Sequence, residues 1–71
     1  MLVGDLVYNN EFDVNCYYEI YDCTDSECWH EAECIFNREI DGWSKPMDWI
    51  LDMKIKYITT HDDAIIIEAA R

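Results

Sequence analysis

The sequence predicts one α+β domain over residues 1–71, a small antiparallel four-stranded sheet with two short helices on one face, in the order α-β-β-α-β-β. Three observations predict it. Apolar residues recur at helical spacing near the start, β-favouring runs pair across turn-forming residues in two places, and a capped helical segment lies between the pairs. At 71 residues the chain has room for one small core, which buries roughly 60% of the surface that the unfolded chain exposes.

Leu2, Val3, Leu6 and Val7 fall on one helical face and Asn9-Asn10 supplies a stop, so a helix is expected over 3–10. Cys16-Tyr17-Tyr18-Glu19-Ile20-Tyr21 favours extended chain, Thr24-Asp25-Ser26-Glu27 is turn chemistry, and a second extended run spans Trp29 to Arg38. Together these make a hairpin. Asp41-Gly42 breaks the run, after which Ser44-Lys45-Pro46-Met47-Asp48 offers a cap, a first-turn proline and a first-turn acid for a helix of about two turns. Met53 to Thr60 alternates as a strand, His61-Asp62-Asp63 turns the chain, and Ala64 to Ala69 is a β-branched return strand.

Sixteen Asp and Glu oppose five Lys and Arg, a formal net charge of -11, in a chain that is still 51% hydrophobic and holds three Trp, five Tyr and two Phe. A disordered acidic tail lacks such aliphatic and aromatic content, so the carboxylates are expected on a folded surface. That surface repels nucleic acid and membrane phosphates and attracts basic protein grooves. The start of the chain has neither the charged nor the apolar region of a secretory signal, and no apolar run approaches ~20 residues, so a soluble cytoplasmic protein with reduced thiols is expected.

If Tyr18, Ile20, Cys34 and Phe36 point inward, period-two alternation sends Tyr17, Glu19 and Tyr21 outward from one strand and Trp29, Glu31 and Glu33 from the other. Carboxylates two residues apart on a strand are roughly 6.5 to 7 Å apart, close to the phosphate spacing of a nucleic-acid strand, and can stand in for phosphates. With Asp22, Asp25 and Glu27 at the turn, the expected partner-binding surface comprises Tyr17, Glu19, Tyr21, Asp22, Asp25, Glu27, Trp29, Glu31 and Glu33. Aromatic anchors among acids suit a protein interface. The competing assignment is a solvated face whose acids guard an edge strand.

Cys23, Cys28, His30 and Cys34 form C-x4-C-x-H-x3-C, ligand types that suit zinc, with Cys16 as a fifth candidate. The spacing fits less well, because Cys34 would lie about 13 Å along the same strand from His30. In an oxidising compartment a Cys23 to Cys28 disulfide is an alternative, and in a reducing one the cysteines are small hydrophobes. No cofactor is otherwise expected. His30 beside Glu31 and Glu33, and His61 beside Asp62 and Asp63, could be drawn as general bases. The chain is too short to enclose a substrate pocket and has no glycine-rich phosphate loop, so no enzyme is expected. Lys45, Lys54 and Lys56 are too few among the acids for direct nucleic-acid binding.

The frame Asp5-Leu6, Tyr18-Glu19-Ile20-Tyr21-Asp22, Pro46-Met47-Asp48-Trp49-Ile50-Leu51-Asp52-Met53-Lys54-Ile55 and Ala64-Ile65-Ile66-Ile67-Glu68 resembles small acidic proteins of bacteriophages and mobile elements. In size and charge it is similar to anti-CRISPR inhibitors, some of which fill a basic duplex-binding channel as nucleic-acid mimics. The resemblance implies a non-enzymatic inhibitor of a basic nucleic-acid-binding protein, such as a CRISPR effector, in a bacterial host cell. It assigns no site residue. Two alternatives stand beside it, a zinc-stabilised module built on the Cys23 to Cys34 cluster and a homodimer formed through sheet faces or edges.

Overall fold

The structure, a computed structural model, describes residues 1–42 and 44–71. Its elements are α1 (Val3–Val7), β1 (Tyr18–Asp22), a single 3-10 turn (Trp29–Glu31), β2 (Glu33–Asn37), α2 (Arg38–Asp41), α3 (Asp48–Leu51), β3 (Lys54–His61) and β4 (Ala64–Ala70). The α+β class is as expected from the sequence. The sheet order is β2-β1-β4-β3, and the central pair, β1 and β4, is parallel within an otherwise antiparallel sheet.

Each helix is shorter than its sequence pattern suggests. Asp5 reaches back to accept the Leu2 N–H at 2.9 Å and starts α1, while the Asn9 side-chain amide donates to the Leu6 carbonyl and its Oδ1 accepts from the Glu11 and Phe12 N–H groups. Asn9 therefore diverts the backbone into a turn and ends α1 after Val7. A third helix, α2, forms where an extended run to Arg38 was expected, because the Asn37 side chain caps the Glu39 and Ile40 N–H groups and Asp41 accepts the Asn37 N–H. Ahead of α3 the cap position is Met47, which makes no side-chain cap bond, and the helix is one turn rather than two.

Both hairpin strands carry one irregularity. Ile20 pairs with Phe36 but Tyr21 pairs with Cys34, so Ile35 is an extra residue in β2 and the strand's facing reverses there. Cys34 thus lies on Tyr21's side, opposite to the inward placement expected for it. In β3 the extra residue is Lys56, between the pairs Ile55–Ala69 and Tyr57–Glu68. The β3–β4 turn puts Asp62 and Asp63 at φ 50° and 65°, the two positive values of a two-residue turn whose twist matches the strands.

The core lies on the helix side. Tyr18, Ile20, Phe36, Ile67, Ala69 and Met53 pack beneath Val3 of α1 and Ile50 and Leu51 of α3, with Leu6, Val7, Ile35, Ile55 and Ile65 at its margin. A Cβ on Gly4 would come within 3.2 Å of the Leu51 carbonyl, which is why α1 can lie so close to α3. Among the described residues no helix is long and apolar enough to cross a membrane.

Candidate acidic site

The connection from β1 to β2 carries Asp25, Glu27 and Glu31 between Asp22, the last residue of β1, and Glu33, the first of β2, and the fold pins it at several points. The Cys23 N–H continues the ladder to the Ala69 carbonyl at 2.7 Å. Asp22 Oδ1 then accepts from both the Thr24 N–H and hydroxyl, and the Thr24 hydroxyl oxygen accepts from the Arg71 N–H. Lys56 reaches over from β3 and donates to the Cys23 and Ser26 carbonyls at 3.1 and 3.4 Å.

At its far end the connection folds back over the second face of the sheet. Trp29 lies on Tyr21, with ring centroids 5.3 Å apart, and meets His30 at 3.9 Å and His61 at 5.2 Å. Its backbone N–H donates at 2.9 Å to Glu68, which sits in the central strand β4 and is only 6% exposed. A carboxylate buried in mid-strand needs such a partner, and a backbone donor 39 residues away supplies it. The sequence alone gives one signal for this contact, an acid interrupting the apolar run Ala64 to Ala69.

The residues expected to form one strand face are therefore distributed differently. Trp29 and Glu31 belong to the 3-10 turn rather than to an extended strand, and Trp29 is half-buried as a cover. Glu19 accepts the Tyr21 hydroxyl hydrogen, so these two share the outer face as a bonded pair. Burial first, and then this bond to Glu19, pushes the Tyr21 phenol well above its usual value. Glu33 is paired across from Asp22, one register position beyond Tyr21 and Cys34, and falls on the opposite side from Glu19. Tyr17 is exposed at the other end of β1. No ladder of carboxylates at strand spacing results. Asp25, Glu27, Glu31 and Glu33 are exposed along the pinned connection and around its return, while half-buried Asp22 is held below the usual carboxylate range by its Thr24 hydrogen bonds and by Arg71.

The cysteine and histidine cluster does not assemble. Cys23 is buried, His30 lies against Trp29, and Cys34 is exposed with its thiol directed at the Phe36 carbonyl. Among the described residues no three His, Cys, Asp or Glu side chains gather as metal ligands, and all four cysteines are free thiols. His30 lies in the 3-10 turn rather than on the strand that carries Cys34, and the bulge at Ile35 turns Cys34 toward Tyr21. Burial pushes both the Cys23 and Cys34 thiols up, and Glu68 and Glu19 respectively push them further, so neither is primed as a nucleophile. His61 lies within 3.1 Å of Asp62, both exposed on the turn.

Charge is set by where the cations go. Arg38 donates to the Val14 and Cys16 carbonyls and lies 5.0 Å from the Tyr18 ring centroid. Lys45 spans Asp48 and the Tyr8 ring, Arg71 spans Asp22 and the Trp49 ring, and Lys56 holds two carbonyls. Among the described residues, Asp22 and Asp48 are the carboxylates with lysine or arginine within ion-pair distance. Thirteen of the sixteen acids are exposed. No family model, curated protein or solved structure matches the chain.

Proposed function

We propose that the protein is a non-enzymatic binding protein whose acidic β1–β2 connection occupies the basic groove of a nucleic-acid-binding protein and competes there with the nucleic acid. One observation carries this proposal. Arg38 and Lys56 bond backbone carbonyls, and the ion pairs of Lys45 and Arg71 go to Asp48 and Asp22, which leaves Asp25, Glu27, Glu31 and Glu33 exposed along a connection already fixed in place. A fixed array loses little conformational freedom on binding, and its charge accelerates encounter with a positive groove. The resemblance to small acidic phage proteins makes a CRISPR effector the first partner to test.

The test is a pull-down from a lysate of a CRISPR-bearing bacterium, eluted by a salt gradient and by competing duplex DNA. The parent should retain a basic nucleic-acid-binding protein that either eluent releases. A variant with Asp25→Asn, Glu27→Gln, Glu31→Gln and Glu33→Gln should lose affinity roughly tenfold or more and show a shallower salt dependence. A control that neutralises four exposed acids elsewhere, at Glu11, Asp13, Glu39 and Asp63, should keep most of the affinity. Equal loss in both variants would assign binding to net charge alone and refute the connection as the site.

A further inference from the structure

The outer edge of β3 is covered along only part of its length. Residues 1–3 run beside its start, where the Ile55 N–H donates to the Met1 carbonyl at 2.9 Å and the Val3 N–H to the Met53 carbonyl at 2.8 Å, around a Leu2–Lys54 bridge. Beyond Ile55 no described strand or bridge pairs with this edge, and residues 56–61 are all exposed, Tyr57 by 62% and Ile58 by 51%.

Backbone parity identifies the groups that point outward. Ile65 donates its N–H to Tyr17, and the Ala69 carbonyl accepts from Cys23, so the odd positions of β4 face β1 and Ala64, Ile66 and Glu68 face β3. Their partners are His61, Thr59 and Tyr57, which leaves the N–H and C=O groups of Ile58 and Thr60 directed away from the sheet. The bulge at Lys56 accounts for the change from outward odd positions, Met53 and Ile55, to outward even ones.

Charge makes this edge unlike the rest of the surface. From Met53 to His61 there are nine residues without an acid, flanked by Asp52 and Asp62, and they carry two of the five cations. Edge strands are commonly protected by lysines, inward charges, proline or bulges; here Lys54 and the bulged Lys56 guard the start of the edge, and from Tyr57 to Thr60 there is no charge, proline or bulge.

We propose that this edge pairs antiparallel with the same edge of a second copy of the chain, with the two-fold axis at Thr59. In that register Ile58 of one copy faces Thr60 of the other, and each pair exchanges two N–H···O=C bonds. Tyr57 faces His61, and Lys56 comes opposite Asp62 of the second copy. The two sheets become one eight-stranded sheet, joined along the segment where two strongly anionic chains repel least.

Analytical ultracentrifugation at low and high protein concentration, in low salt and in ~0.5 M salt, is the test. The mass should rise from 8.5 kDa toward twice that with concentration, and more readily at the higher salt. Amide exchange at Ile58 and Thr60 should slow as the dimer forms. Thr59→Lys places two ammonium groups at the two-fold axis and should return the protein to a monomer with unchanged circular dichroism. Thr59→Cys should give a disulfide that joins two chains at position 59, because non-hydrogen-bonded antiparallel pairs lie within disulfide reach. A monomer under all four conditions would overturn the proposal. So would a dimer that Thr59→Lys does not weaken and in which Ile58 and Thr60 exchange as freely as in the monomer, since its interface would lie elsewhere.

Discussion

On the helix side of the sheet, Ile20, Met53 and Ile67 are sealed beneath Val3, Ile50 and Leu51, whereas on the other side the Trp29 indole, the Glu68 carboxylate and the Lys56 ammonium help to hold the covering segment in place. Both sides are read from the same strands by alternation. The first is dry and aliphatic, and its stability comes from removing apolar area from water. The second buries Ile66 and Cys23 beside polar partners, and its stability combines that smaller apolar area with a few specific contacts. Exposed acids on the covering segment can therefore change with little cost to the core.

Ile67→Ala gives the sharpest test of the helix side. It deletes a fully buried side chain at the centre of β4 and should cost about 3 kcal/mol or more, which unfolds much of so small a domain. Urea denaturation followed by circular dichroism would read it. A cost below about 1 kcal/mol would mean that the aliphatic layer is not what holds the sheet.

On the other side Trp29→Ala should cost about 2 kcal/mol, because the indole is only half-buried, and should free the connection from residue 27 to 32 to exchange its amide hydrogens. Glu68→Ala should cost about 1 to 2 kcal/mol by leaving the Trp29 N–H without its partner, while Glu68→Gln keeps an acceptor and should recover most of that. Losses from Trp29→Ala and Glu68→Ala that simply added in the double variant would show that indole and carboxylate do not act together.

A smaller effect separates the faces by pH. Burial raises Tyr18 on the helix side, and burial with the Glu19 bond raises Tyr21 on the other. A raised acid favours its neutral form in the folded state, so each phenol contributes stability that is fully present below its ordinary value of 10.0 and is lost as pH rises through the folded value. The raised thiols of Cys23 and Cys34 add a loss that begins from 9.0. The melting temperature should therefore fall above about pH 9, and Tyr21→Phe should remove the Tyr21 share of that fall. An unchanged alkaline profile in Tyr21→Phe would show that its bond to Glu19 carries no linkage.

Local pattern made some of this legible from sequence and long-range pairing concealed the rest. The spacing of Leu2, Val3, Leu6 and Val7 marked α1, and His61-Asp62-Asp63 between β-favouring runs marked the β3–β4 hairpin, because both are short-range effects. Cys34-Ile35-Phe36 is apolar at three consecutive positions, so alternation could not reveal that Ile35 is bulged and that Cys34 faces outward. Trp29 was recognisable as an aromatic among acids, but its role as a cover depends on Glu68, 39 residues away. The expected acidic residues are present, yet their grouping follows from that cover and from Lys56 rather than from strand periodicity.

The parallel pairing of β1 with β4 joins Tyr18 to Ile65 and Asp22 to Ala69, so the two central strands are more than forty residues apart in sequence. Each hairpin can form by local closure, but neither has a core until the two dock, and closing so long a loop is entropically slow. On the ribosome, β1 and β2 are made first and must wait unpaired at the centre until β4 has emerged. The acids between the first two strands lower the tendency of such an unfinished hairpin to aggregate while its central neighbour is still being synthesised.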